Sequence, residues 1–277
     1  MAQLPDYVVR GAHVADELRL QLGLGIQPIG DLWQLIRDLD ADLAFHGFGV
    51  DRGDGVYYWD GRRGLIVVNS DRYPRERQRF TAAHELGHHL LHRDDRGPLV
   101  VVEGDLFAGG EKPTEEREAD AFASYLLAPT EAMRAAFDGK PARAITIEDI
   151  VDLMHAYGTT FQTTVYRLHN SGRIYAPDRD RLLAEAAGQI DFIREAKGFD
   201  REQLAPGHLL PPEHVLTALR MHESEVIDLE RLAKLLRTSR EEAAALVERA
   251  RTPRDEQERA FEQELGVDLD EVMNEAE

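Results

Sequence analysis

The sequence predicts an α+β fold: a mostly helical domain with a small β-sheet beside one central helix, followed by a helical C-terminal region. Three observations predict it. Phe80, Ala83, Leu86, Leu90 and Leu91 recur at helical spacing between Pro74 and His92, a stretch with no further proline and with Gly87 as its one glycine. Two short β-branched or aromatic runs, residues 56–59 (Val-Tyr-Tyr-Trp) and 65–68 (Leu-Ile-Val-Val), flank Asp60-Gly61-Arg62-Arg63-Gly64 and read as a hairpin or two neighbouring strands. After Pro129 the patterning is helical nearly throughout.

Taken in order, residues 12–45 read as helical. Val14, Leu18, Leu20 and Leu22 belong to a first helix, broken near Gly23 and Gly25. A second starts after Asp31, a suitable N-cap, with Leu32, Leu35, Ile36 and Leu39 as its core face. Beyond the two strands, Asn69-Ser70-Asp71 leads to the central helix, which Pro74 can open because a first-turn N–H would go unpaired anyway. Residues 93–113 are polar and loop-like apart from a strand candidate at Leu99-Val100-Val101-Val102. Thr114 is the expected N-cap of a helix reaching about Leu127, with Glu115, Glu116 and Glu118 early in it, where the helix dipole favours acids. Pro129 forbids its continuation.

Residues 147–154, a turn at Gly158-Thr159-Thr160 and residues 161–168 give helix, turn, helix. Ala176-Pro177-Asp178 reads as a linker, and residues 229–236 with 240–250 repeat the helix-turn-helix pattern. Residues 251–277 carry ten acidic and three basic side chains and read as a solvated helix with a frayed end. The expected division is a domain over residues 1–177, with a helix-turn-helix-like segment appended, and a helical region of unknown role over 178–277.

Composition sets limits. At 277 residues there is room for one sizeable domain or two smaller ones. No run approaches the roughly 18 apolar residues of a membrane span, and Met1-Ala2-Gln3-Leu4-Pro5-Asp6 lacks a basic or apolar signal segment. A cytoplasmic location is the expectation. The chain has no cysteine, which suits a reducing compartment and excludes thiolate ligands and cysteine catalysis. A net charge of -19 argues against broad nucleic-acid binding and favours basic partners, if any.

The central helix contains His84-Glu85-Leu86-Gly87-His88. Residues four apart share a helix face, so both imidazoles can reach one ion at about 2.0–2.1 Å, while Glu85, rotated roughly 100°, can face a water instead of ligating. A catalytic zinc needs a third protein ligand and an open position. His92 lies on the same helix, and one straight helix cannot wrap three turns round an ion. The helix after Pro113 is the better source: Glu116 can ligate while Asp120, one turn on, accepts the distal N–H of a ligand His. Glu115 and Glu118 are rivals, and any of the three glutamates can equally be a surface acid answering the helix dipole.

These residues resemble a family. Phe80-Thr81-Ala82-Ala83-His84-Glu85-Leu86-Gly87-His88 with Leu90-Leu91-His92, then Glu116-Arg117-Glu118-Ala119-Asp120-Ala121-Phe122-Ala123 and Leu126-Leu127-Ala128-Pro129, are similar to the ImmA/IrrE-type zinc metallopeptidases. Val67-Val68-Asn69 also fits, and the likeness covers roughly residues 12–175. The family usually has Met where Ala128 stands, a difference of packing and not of chemistry. The resemblance implies that His84, His88 and Glu116 hold zinc and that Glu85 is the general base. It also implies cleavage of a transcriptional repressor by metal-activated water, in stress or induction responses of bacteria or mobile elements. His89, His92 and Tyr125 stand unranked as donors to the oxyanion.

Two other functions compete. One is a DNA-binding regulator with a structural or sensory metal site, suggested by the helix-turn-helix patterns. Base readout wants Arg, Lys, Asn or Gln; the first recognition-helix candidate, residues 161–167 from Phe161-Gln162 to Arg167, has one base, and the second offers Arg237 and Arg240 with acids following at once. Direct nucleic-acid binding is therefore not expected. The other is a module that sequesters a regulator without cutting it.

Overall fold

The computed structural model describes residues 4–49, 53–71, 75–93, 99–102, 112–186, 188–199 and 212–248. Pro74 and the acidic stretch 251–277 lie outside them. Helix α1 (Asp6–Gln21) opens after Pro5 and not near Ala12, and it buries Ala12, Ala15 and Leu18. Helix α2 (Leu32–Asp38) is capped as expected, the Asp31 carboxylate accepting from the Gln34 N–H at 2.9 Å. The helical reading then fails. Asp40 takes a left-handed φ of 60°, and the chain continues as strand β1 (Ala41–His46). Ala41, Leu43 and Phe45 turn into the core, and ladder pairing overrides the poor strand preference of Ala and Asp.

Strands β2 (Gly55–Trp59) and β3 (Gly64–Asn69) form the expected antiparallel pair, with Tyr57 opposite Ile66. The Asp60 carboxylate closes the hairpin by accepting from the backbone N–H groups of Arg62 and Arg63, both at 2.7 Å. Strand β4 (Leu99–Val102) pairs antiparallel with β2, and β1 pairs parallel with β3, giving the order β1-β3-β2-β4. Asn69 ends β3 fully buried, its amide donating to Gly49 O and Gly53 O at 2.9 and 3.0 Å.

Helix α3 (Arg75–Leu91) packs on β2 and β3, and helix α4 (Thr114–Leu127) lies against both α3 and α1. Thr114 is the first helical residue of α4 and not its N-cap; Pro113 takes that place, with no side-chain cap. A Cβ at Gly87 would sit 3.1 Å from both Ala119 Cα and Phe122 Cδ1, so α3 and α4 cross at nearly backbone contact. Leu32, Ile36, Leu43, Phe45, Ile66, Leu86, Phe122 and Leu126 share one core between the helices and the sheet. Buried arginines hold the C-terminal end of α4, where carbonyls lack helical partners. Arg19 donates to Leu126 O at 2.6 Å and Arg167 to Ala128 O at 2.9 Å.

A second core joins α5 (Thr130–Ala135), α6 (Ile147–Tyr157), α7 (Phe161–Asn170), α8 (Ala176–Glu185) and α9 (Ile190–Ala196) through Met133, Ile150, Val165, Leu168, Leu182 and Ile193. Residues 176–178 open α8 and are not a linker, because Pro177 sits in the first turn where a missing N–H does no harm. The contacts divide the chain between residues 209 and 210, beyond the 177/178 boundary read from the sequence. The second unit holds α10 (Pro212–Glu223), α11 (Leu229–Leu235) and a helical run over 240–248, packed round Leu232, Ala233, Leu236, Ala243 and Val247.

Candidate metal centre

Helix α3 places His84, Glu85 and His88 in the interior, at 0%, 0% and 1% exposure. Helix α4 brings Glu116, 4% exposed, to meet them. His84 Nε2 lies 3.1 Å from His88 Nε2 and 3.2 Å from Glu116 Oε2, and His88 Nε2 lies 3.3 Å from Glu116 Oε1. Donor atoms of His84, His88 and Glu116 form the one such group found among the described residues.

Proton counting shows what this cluster suits. His84 Nδ1 is 3.0 Å from Asp120 Oδ1, and a carboxylate only accepts, so Nδ1 carries the hydrogen and Nε2 presents a lone pair. His88 Nδ1 is 2.9 Å from His92 Nδ1, and His92 Nε2 is 2.9 Å from Glu118 Oε2. His92 therefore donates to Glu118 and accepts from His88, which again leaves Nε2 of His88 with a lone pair. Two imidazole lone pairs and a carboxylate thus converge with no hydrogen among them, while Glu116 Oε2 is enclosed without a hydrogen-bonding partner. Acceptors so placed repel unless a cation lies between them. Ligand atoms about 2.0–2.1 Å from a tetrahedral ion stand about 3.3–3.4 Å apart, close to the spacings here. The residues fit a divalent metal.

In the metal-free alternative, protons on the His84 and His88 rings stand in for a cation: burial alone would raise the Glu116 carboxyl, but these rings outweigh it and hold it below the ordinary carboxylate range. Burial pushes His88 down, against the opposing pull of Glu116, so the ring favours its neutral form. Asp120 is also held low: His84 and the Lys112 ammonium, 2.6 Å from Oδ2, overcome its burial. Metal binding needs deprotonated ligands, and the directions at Glu116 and His88 favour them.

The remaining candidates separate by position. Glu115 is exposed. Glu118 faces His92 and Arg10 instead of the cluster. His89 lies on the sheet side of α3, bonded to Leu39 O at 2.9 Å and the Tyr57 hydroxyl at 3.0 Å. Tyr125 lies under the Arg167 guanidinium, 3.4 Å from its ring centroid. Each unranked oxyanion candidate thus has a partner elsewhere. Gly55 escapes the sequence reading: a Cβ there would sit 2.6 Å from both Glu85 Oε1 and Thr81 Cγ2, so β2 backs the Glu85 carboxylate. Its one sequence signal is a glycine at a strand start. Arg10 and Lys112, which fix Glu118 and Asp120, carry no such signal.

Comparison with known proteins agrees with this geometry. A peptidase family model described as the IrrE N-terminal-like domain matches residues 36–169. The radiation response metalloprotease IrrE of Deinococcus deserti is 42% identical over 80 residues, which are 28% of this chain and 26% of that protein. The chain thus matches about a quarter of that relative's length. The matched segment, residues 36–169, carries His84, Glu85, His88, Glu116 and Asp120, so the likeness to the IrrE N-terminal-like domain takes in the whole candidate centre.

Proposed function

We propose that this protein is a zinc-dependent endopeptidase that cuts a protein substrate, a transcriptional repressor, in a cytoplasmic stress response. The observation that carries the reading is the convergence of two imidazole lone pairs and the Glu116 carboxylate, with their tautomers set from outside the cluster. His84, His88 and Glu116 would hold the metal, and Asp120 would keep the His84 ring in its donor-outward tautomer. Zinc there supplies a Lewis acid for water activation and carbonyl polarisation, and a His₂Glu set suits it. Glu85, buried beside the ligands and backed by Gly55, takes one proton from water as its oxygen bonds to the scissile carbonyl carbon. It then gives that proton to the amine nitrogen as the C–N bond breaks, leaving a carboxylic acid and an amine, between which the remaining proton then passes to give carboxylate and ammonium.

The relative's name refers to a radiation response, which supports the stress setting. No helix among the described residues is long and apolar enough to cross a membrane. The DNA-reading alternative is weakened at α7. Arg167, the one base of that recognition-helix candidate, is 2% exposed and committed to Ala128 O and Thr130 Oγ1.

The test pairs the protein with a candidate repressor, with and without chelator. Cleavage by the wild type, abolished by chelator and by Glu85→Gln with zinc retained, is the expected outcome. A stable uncut complex would indicate sequestration instead. Wild-type cleavage by a zinc-loaded Glu85→Gln protein would remove Glu85 from the mechanism.

A further inference from the structure

We infer that His92, held by Glu118 and Arg10, is a positioning residue that fixes the tautomer and orientation of His88, an inference that rests on the metal-centre reading above. His92 continues the last turn of α3, its backbone N–H donating to His88 O at 3.0 Å. Its side chain is 9% exposed and that of Glu118 is 6% exposed, so this hydrogen-bonded chain runs through the interior. The His88 and His92 rings are tilted by 54° with centroids 5.0 Å apart. They meet through facing nitrogens, Nδ1 to Nδ1 at 2.9 Å, and not by stacking.

Only one assignment of neutral rings satisfies both contacts. A hydrogen on His92 Nδ1 instead of Nε2 would set a lone pair against the Glu118 carboxylate, two acceptors at 2.9 Å. Glu118 itself is fixed by Arg10, whose Nη1 donates to Oε1 and Oε2 at 3.1 and 3.0 Å while Nη2 donates to Leu91 O at 3.3 Å. One guanidinium on α1 thereby ties the end of α3 to α4. The two ligand histidines are oriented unequally: His84 rests directly on Asp120, whereas His88 reaches Glu118 through an interposed imidazole. This explains why His92, spaced like a ligand, points away from the converging group: its nitrogens serve His88 and Glu118.

Removing a hydrogen-bonding partner behind a ligand typically costs about 10–100-fold in metal affinity. The test measures zinc affinity by competition with a chromophoric chelator, and the visible bands of the cobalt(II)-loaded protein. It compares the wild type with His92→Phe, His92→Asn and Glu118→Gln. His92→Phe keeps the ring but loses both nitrogens; we expect about 10–100-fold weaker zinc binding and shifted cobalt bands. His92→Asn, with an acceptor oxygen where Nδ1 stood, should recover most of the affinity. Glu118→Gln should weaken binding in the same direction but less. Wild-type affinity in His92→Phe, or equal losses in the Phe and Asn variants, overturns the inference. Should His92→Phe not fold, wild-type affinity in Glu118→Gln overturns it. A wild-type protein that binds neither ion overturns the metal reading and this inference with it.

Discussion

At the scale of single residues, the centre is built from protonation states as much as from positions. His84 and His88 each have an outward nitrogen committed to an acceptor, so each inward nitrogen offers a lone pair. Glu85 is constrained from the other side, by a strand with no side chain at Gly55. Gly55→Ala puts a methyl group 2.6 Å from Glu85 Oε1, a separation no carbon–oxygen contact sustains. Either β2 or the carboxylate must move. Since misplacing a catalytic group by about 1 Å can cost about 10²-fold, we expect Gly55→Ala to lose roughly that much turnover while its zinc content stays at the wild-type level. Parallel metal analysis and cleavage assays check this. Wild-type turnover in Gly55→Ala would mean that Glu85 does not depend on that contact.

At the scale of elements, the site is a crossing of two helices, and Gly87 sets how close they come. Its missing Cβ faces Ala119 Cα and Phe122 Cδ1, about one and two turns beyond Glu116 on α4. Gly87→Leu would wedge the helices apart. We expect about 1–3 kcal/mol of lost stability, as for other overpacked contacts, together with weaker zinc binding as Glu116 retreats from the imidazoles. Denaturant unfolding and chelator competition measure the two effects, and unchanged zinc affinity would mean that the crossing does not set the ligand geometry. What was legible in the sequence divides along the same line. The i,i+4 pairs, His84 with His88 and Glu116 with Asp120, could be read because helical geometry fixes them within a few residues. The strand at residues 41–46 could not, because Ala41, Asp42 and Ala44 favour a strand only once β3 lies alongside. Arg10 lies 108 residues from Glu118, and no local pattern announces their pairing. The helix-turn-helix pattern at residues 147–168 was legible as helices, but its meaning was not: the fold turns Arg167 inward to hold the end of α4.

At the scale of the whole molecule, the site lies in the first of two compact units, and within it α4 is clasped by α1, by α3 and by the arginines at its C-terminal end. Without a metal, His84 Nε2, His88 Nε2 and Glu116 Oε2 form a buried set of acceptors, which opposes the close approach of α3 and α4. A bound divalent ion converts that repulsion into a cross-link between helices far apart in sequence. Because it binds the folded state far better than the unfolded chain, it stabilises by RT ln(1 + [L]/Kd), about 4 kcal/mol when free metal exceeds Kd by about 1,000-fold. For a unit of roughly 200 residues each kcal/mol moves Tm by about 2–4 °C, so zinc should raise the melting temperature of the first unit by about 8–16 °C over the chelator-treated protein. Differential scanning calorimetry at fixed free zinc measures this. His84→Ala should abolish the shift, because two remaining donors cannot close the cross-link, whereas Glu85→Gln should keep it, because Glu85 is not assigned as a ligand. A shift that survives His84→Ala would place the metal elsewhere, and a shift lost in Glu85→Gln would make that carboxylate a ligand and remove it as the base.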